Sequence, residues 1–480
     1  MSQRETDLFD SYIRQDIGRR DLVKRAVQLG LGGTAAGILL NLSGTRALAA
    51  TDFNWQKYKG TGIKLLLNKH PYTDAMIADL ENFKQLTGMT VTYDVFPEDV
   101  YFDKVTAALS SRSTQYDAFM TGAYQTWQYG PAGWLVDVNE FLKDPGATAQ
   151  TYKWDDILPN LRASTAWSGV PGAPLGAAGS KQWAVPWGFE LNSVSYNRRI
   201  FDQLKLQPPK HLPDLLEVAE RIVKDGKGPY GIGVRGSRSW ATIHPGYLSG
   251  LVNYGGTDFT VTDGKLKAAM NSKPAKEFTR MWIDMIRKSG PRNWTNYTWY
   301  EVGNDLGAGT SGMIFDADIL GYFQQNGTKE AGNIAFQAFA ANPAGTAPTP
   351  NVWIWSLAIS NFSRNKPAAW NFIQWASGTD HCTFGATKAD QVNPVRQSVW
   401  DNADFQGRLK AKYPGYLEQY QASAPNAKIY FTPQPLFFNL TTDWAAALQK
   451  MFANEVPVDE GLDQLALSID GQLKNAGIAD

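Results

Sequence analysis

Carboxylates, a guanidinium and indoles stand at the ends of strand-like runs in this sequence, and those groups together have a definite chemistry. Glu98 and Asp99 follow the alternating run Val91, Tyr93, Val95. A carboxylate there either accepts hydrogen bonds from a ligand's hydroxyls or starts a helix, where the dipole favours it. Arg235 and Trp240 follow Gly231–Val234, and a guanidinium fork can grip two adjacent hydroxyls. Asp316 interrupts the apolar stretch Met313-Ile314-Phe315, so it must be buried and partnered. Asp318, two residues on, is placed to cap a helix. Trp353 and Trp355 are two apart, which puts both on one side of an extended strand. Indoles offer flat apolar faces with one polar edge. Hydroxyls are best held by carboxylate and guanidinium groups in a dry cleft, while C–H faces stack on rings.

Carboxylates and aromatics also serve enzymes. A secreted glycoside-acting enzyme would need two carboxyl groups at a set separation, one with a raised pKa, and it is the alternative reading. The other catalytic motifs are missing. There is no Gly-x-Ser-x-Gly elbow. The four histidines (His70, His211, His244, His381) form no His-Glu-x-x-His pair. Gly30-Leu31-Gly32-Gly33 is not set in a phosphate loop. One cysteine, Cys382, excludes an internal disulfide and paired-cysteine metal sites. No metal and no cofactor are expected. With 46 basic and 46 acidic residues the chain lacks the basic field of a nucleic-acid binder.

These groups need a scaffold, and 480 residues are enough for two or three domains. The start of the chain reads as an address. Gly18-Arg19-Arg20-Asp21-Leu22-Val23-Lys24 precedes the moderately apolar stretch 26–42, and Ala47-Leu48-Ala49 offers a small-x-small cleavage site. Residues 1–49 therefore resemble a twin-arginine (Tat) signal peptide cleaved near Ala49. Cleavage would remove seven basic and five acidic residues, leaving a net charge of −2. Beyond it, Ile63–Leu67 reads as a buried strand, 72–87 as a helix stopped by Gly88, 91–95 as a strand, 100–111 as a helix and 116–120 as a strand. That β-α-β-α-β order predicts an α/β fold with parallel strands, whose ligands bind at the strands' carboxyl ends. The ends concerned are Asn68-Lys69-His70, Pro97-Glu98-Asp99 and Gly122-Ala123-Tyr124. Ser168–Ser180 reads as a loop. A second set follows: strands 193–197 and 231–234, and helices near 241–251 and 274–288. The last third predicts helices at 366–377, 444–454 and 458–475.

Several segments, taken in order, resemble one family. They are Tyr196-Asn197-Arg198-Arg199-Ile200-Phe201 with Leu206-Gln207-Pro208-Pro209-Lys210, Tyr116-Asp117-Ala118-Phe119 with Trp134-Leu135-Val136-Asp137, Gly312-Met313-Ile314-Phe315, Trp353–Ile359 and Lys366–Phe372. The set is similar to the extracellular solute-binding proteins (family 1) of ABC importers, over residues 61–475. Gly130-Pro131-Ala132-Gly133-Trp134-Leu135 and the Arg235-Gly236 turn resemble the sorbitol/mannitol branch. The motif departs at His211-Leu212-Pro213-Asp214, where the family usually has a tryptophan.

The resemblance implies a maltose-binding-protein-like (type II) periplasmic-binding fold: two α/β lobes joined by crossover strands. Carried onto this chain, the amino-terminal lobe is 51–187 plus 313–356. The carboxyl-terminal lobe is 188–312 plus 357–480. The implied site lies between them, at Glu98, Tyr124, Trp187, Glu190, Arg235, Trp240, Asp316, Trp353, Trp355 and Arg396. Trp187 and Glu190 would flank the first crossover. Arg396 would match a family position near the cleft. The implied function is capture of a monosaccharide, amino sugar or sugar alcohol by hinged closure, and delivery to the importer's membrane permease. The protein would be a periplasmic monomer and not an enzyme. Most of the 17 tryptophans are expected in the core, with Trp187, Trp240, Trp353 and Trp355 set apart for ligand.

Overall fold

A computed structural model describes residues 53–479, apart from 227, 343, 345 and 346. The expected signal peptide and its cleavage point lie outside the described residues. The apolar run after Gly62 forms strand β1 (Gly62–Asn68). His70 then caps helix α1 (Pro71–Thr87), its Nδ1 accepting from the Tyr72 backbone N–H at 3.3 Å. Pro71 opens the helix at its first position, and Gly88 ends it in the left-handed region at φ 67°. Strand β2 (Thr90–Phe96), helix α2 (Glu98–Ser110) and strand β3 (Ala118–Gly122) follow. β2 and β3 both pair parallel to β1, on opposite edges.

A hairpin of two short strands, β4 (Ala166–Trp167) and β5 (Lys181–Gln182), closes the expected 168–180 loop at its base. Strand β6 (Val185–Asn197) is 13 residues long and buried at every position except Tyr196, so both its faces are covered. Its continuation holds the central sheet together. Val185–Leu191 pairs antiparallel with strand β12 (Val352–Ile359), and Asn192–Tyr196 pairs antiparallel with strand β10 (Ser311–Ala317). β12 also pairs with β3, and β10 lies parallel to β7 (Tyr230–Gly233). The order is β2-β1-β3-β12-β6-β10-β7, with β11 (Ile334–Gln337) on β6. Strands β8 (Phe259–Thr262) and β9 (Lys265–Ala268) form a separate hairpin.

The expected α/β class is therefore what the chain adopts. Helix α3 (Leu212–Gly226) buries Leu215, Val218, Ala219 and Ile222, one stripe of an amphipathic helix. The helix expected near 241–251 divides. A 3-10 turn, Trp240–Thr242, precedes helix α4 (Gly246–Asn253). Pro245 is the cause, since it lacks an N–H and disfavours helical backbone at His244. Helix α5 (Trp299–Ala308) starts on a capping box, with Thr298 and Glu301 satisfying each other's backbone. Helix α6 (Asp318–Phe323) leaves the end of β10. Helices α7 (Lys366–Ala376) and α8 (Thr379–Lys388) pack on α1. The helix expected at 444–454 begins earlier, as α9 (Phe437–Phe452), because Phe437, Leu440, Trp444, Leu448 and Met451 continue one buried stripe. Helix α10 (Val458–Asn475) closes the fold as expected.

Candidate functional site

The carboxyl ends of parallel strands converge on one cavity with about 330 Å³ of empty space. His70 lines it from the end of β1, Glu98 from the end of β2, and Arg235, Trp240 and His244 from the segment after β7. Trp299 enters from the start of α5, and Ile319 and Leu320 from α6. Glu190, Trp353 and Trp355 come from the middle of β6 and β12. Trp353 sits directly opposite Glu190 in the antiparallel register, so both project to one face, and Trp355 follows two residues along. Trp355 donates its indole N–H to Oε1 of Glu190 at 2.7 Å.

The electrostatics follow from burial. Burial pushes the Glu190 carboxyl up to about 8; Arg235 and the Trp355 N–H pull against this, while Glu98 and Asp316 add to it. At neutral pH Glu190 is therefore mostly protonated, able to donate as well as accept. Arg235 is closed on Asp316: Nε to Oδ2 at 3.0 Å and Nη2 to Oδ1 at 2.7 Å, with both side chains buried. Its Nη1 donates to the Ala241 carbonyl at 3.1 Å and meets His244 Nε2 at 3.2 Å. Of five guanidinium hydrogens, one on Nη2 stays uncommitted. Burial, then the Arg235 charge, hold His244 well below the usual imidazole range. Its Nε2 accepts from Arg235, so Nδ1 carries the hydrogen, and Nδ1 is buried without a partner. Burial lowers His70 to about 3. Its Nδ1 accepts from Tyr72, so its Nε2 is a donor. Trp353 Nε1 is a further buried donor without a partner. Asn68 donates to Glu98 Oε2 at 3.4 Å.

Rings wall the cavity. Trp240 and Trp353 lie 5.2 Å apart, Trp353 and Trp355 5.1 Å apart at 82°, and His70 and Trp355 5.0 Å apart. The site is thus a small, largely aromatic box whose polar groups are neutral N–H donors, carboxyls and the Arg235 guanidinium held by Asp316. It suits a ligand with several hydroxyls on a short carbon frame. Among the described residues no cluster of three or more His, Cys, Asp or Glu is placed to hold a metal.

Six of the ten expected residues line the cavity: Glu98, Glu190, Arg235, Trp240, Trp353 and Trp355. Asp316 lies behind Arg235, buried and partnered. Three are placed elsewhere. Tyr124 lies behind Trp353, 5.2 Å away, its hydroxyl donating to the Val352 carbonyl at 3.1 Å and accepting from Asn351 at 2.9 Å. Trp187 is wholly buried and donates to the Ala376 carbonyl at 3.0 Å. Arg396 is wholly buried, donating to Ser377 O at 2.6 Å, Lys153 O at 3.1 Å and Asp156 at 3.2 Å. Its charge ties loops together, where the resemblance implied a cleft residue. The residues not foreseen are His70, His244, Trp299, Ile319 and Leu320. His70 stood at a strand end already singled out. Trp299 carried the signal of the capping pair Thr298 and Glu301 on either side of it. His244 carried none, because its role depends on Arg235.

Residues 69–381 match the family of bacterial extracellular solute-binding proteins. The chain is 40% identical over 457 residues to the erythritol/L-threitol-binding protein of Mycolicibacterium smegmatis, with 92% of this chain and 94% of that protein covered. It superimposes on the solute-binding protein of Agrobacterium vitis S4 with bound D-mannitol at TM-score 0.72, 23% identity, covering 88% of this chain and 100% of that one. It superimposes on maltose-bound MalE3 of T. maritima at TM-score 0.73, 17% identity, covering 86% and 100%. The expected maltose-binding-protein-like fold is therefore present.

Proposed function

The chain belongs to the bacterial extracellular solute-binding proteins, the receptor components of ABC importers, and we propose that it captures a short sugar alcohol in the cavity around Glu190. The observation that carries this reading is the cavity's polarity. Arg235 is already neutralised by Asp316, Glu190 is mostly protonated, and both histidines are uncharged donors. Such a lining recognises hydroxyls without demanding a ligand charge. The lining side chains approach one another closely, which favours a short ligand. The similarity to an erythritol/L-threitol-binding protein supports a tetritol in particular. An amino sugar is the second reading, favoured by the Glu98 carboxyl in the lining and by the proton that Glu190 can give up beside a cation.

Capture works by closure of two lobes. One lobe takes β1, β2, β3 and β12 with α1, α7 and α8. The other takes β7, β10 and β11, and β6 runs through both. In this reading the boundaries after residue 312 differ from those expected. β10 pairs with β7, which argues for placing 313–351 in the carboxyl-terminal lobe, and α7 and α8 pack on α1, which argues for placing 366–388 in the amino-terminal one. Ligand contacts made from both lobes exist only on closure, and that difference in affinity drives it. Members of this family act outside the cytoplasmic membrane, which implies a periplasmic location. Export through a Tat signal, release as a monomer and hand-over to a membrane permease complete the reading.

The test is calorimetric titration of the mature protein with tetritols, pentitols, hexitols, monosaccharides and glucosamine, with product analysis in parallel. Saturable binding of a polyol without turnover is expected. Release of product from a glycoside would move the protein to the enzyme reading.

A further inference from the structure

The enclosed cavity has two larger, solvent-open grooves beside it. One, of about 1,400 Å³, is lined by Glu98, Arg235 and Trp299 together with the polar residues Asp103, Ser239 and Thr298. The other, of about 1,090 Å³, is lined by Asp103, Gln128, Asn439, Thr442 and Asp443. Among the described residues, Trp240 alone lines the cavity and both grooves. Its indole reaches from the 3-10 turn after β7 across to α2 and α9. It lies edge-on to Phe102 at 5.5 Å and to Phe438 at 5.5 Å, while its other ring neighbours are Trp353 at 5.2 Å, His244 at 5.9 Å and Phe437 at 6.3 Å. One half-buried ring thus separates a small aromatic box from polar space that could hold more hydroxyl-bearing carbons.

We propose that Trp240 is the wall that sets ligand length, admitting a short polyol and excluding the longer ones that the flanking grooves would otherwise take. The proposal rests on the reading that the cavity is the polyol site. Arg235 borders the cavity and one groove only, and Asp316 fixes it from behind. Trp299 borders the cavity and one groove only. Truncating Trp240 joins the cavity to both grooves. The asparagine, glutamine, serine, threonine and aspartate side chains there are the groups that further hydroxyls need.

The test is titration of wild-type and Trp240→Ala protein with erythritol, ribitol and D-mannitol. The wild type should bind erythritol at least tenfold more tightly than mannitol. In the variant the mannitol-to-erythritol Kd ratio should fall at least tenfold, a change of about 1.4 kcal/mol in relative affinity. Trp240→Leu should shift the ratio in the same direction, and it serves if the alanine variant folds poorly. A uniform loss for all three polyols would show that Trp240 only stacks, overturning the proposal while leaving the site in place. Wild-type preference for mannitol would also overturn it. Wild-type failure to bind any polyol would remove the site reading itself, and the proposal with it.

Discussion

Trp355 on β12 and Glu190 on β6 are joined by an N–H to carboxyl hydrogen bond of 2.7 Å. The bond orients the Glu190 carboxyl from one side, because Oε1 is taken by the indole. It also couples the two strands at the cavity, where Trp353 faces Glu190 in the register. A ligand hydroxyl meeting Glu190 would meet a group already held in place.

Replacing that carboxyl should therefore remove binding more than stability. Glu190→Ala is expected to abolish most of the polyol-induced thermal shift, a loss of about 2 kcal/mol or more in binding. The unliganded melting point should change little, since a buried carboxyl costs desolvation in the folded state. Glu190→Gln, which keeps the neutral shape, should retain most of the shift at pH 6. An unchanged shift in the alanine variant would remove Glu190 from the site.

Stability should fall as pH rises from 5 to 9. Burial raises Glu190 from 4.5 to about 8 and raises Asp318 from 3.8 to about 7, the latter opposed by bonds from Asn393, Leu191 and Tyr416. The folded state thus holds these protons more tightly than the unfolded chain. Their stabilising contribution is full below the unfolded values and is lost as pH rises through about 7 to 8. Urea unfolding across this window is the measurement, with Glu190→Gln expected to flatten the part near pH 8. A slope that is the same in wild type and variant would contradict the assignment to Glu190.

Asp316→Asn should be strongly destabilising. Arg235 and Asp316 are both buried, and removing one charge leaves the other uncompensated. The expected cost is about 3–5 kcal/mol. Replacing both residues by apolar ones of similar size should cost less than the sum of the single changes. A double-mutant cycle by chemical denaturation reads this coupling directly.

Variants at the three residues placed away from the cavity should leave polyol affinity nearly unchanged. Tyr124→Phe removes a hydroxyl that serves Val352 and Asn351, at an expected stability cost of about 1 kcal/mol. Trp187→Phe and Arg396→Met should lower the melting point with Kd within threefold of wild type. A tenfold loss of affinity in any of them would return that residue to the site.

The order of elements was legible because local patterns determine it. Ile63–Leu67 is an apolar run, residues 72–87 end on Gly88, and Met313–Phe315 runs directly into an aspartate, Asp316, that has to be paired. Of the two boundaries that moved by a turn or more, the one at Trp240–Asn253 moved at a proline visible in the sequence, and the other moved because Phe437 and Leu440 extend the buried stripe of α9. Strand-end position also found Glu98, Arg235 and Trp240, since a parallel sheet gathers its strand ends on one side. Trp353 and Trp355 were legible as a same-face pair from alternation alone.

What the chain did not disclose locally are the partners that lie far away in sequence. Arg396 and Arg235 are both arginines near chain turns. One is spent on Lys153, Asp156 and Ser377, and the other is clamped beside the cavity by Asp316. Trp187 and Trp355 are both buried indoles on central strands, yet one donates to Ala376 and the other to Glu190. The raised pKa of Glu190 and the neutrality of His244 exist only because long-range pairing removes water from them. Sequence alone therefore determined the strands, the helices and the supply of carboxyl, guanidinium and indole side chains, through periodicity and chain chemistry. Tertiary structure alone decided which of those side chains face one cavity and in which protonation state, because burial and pairing are properties of the assembled sheet.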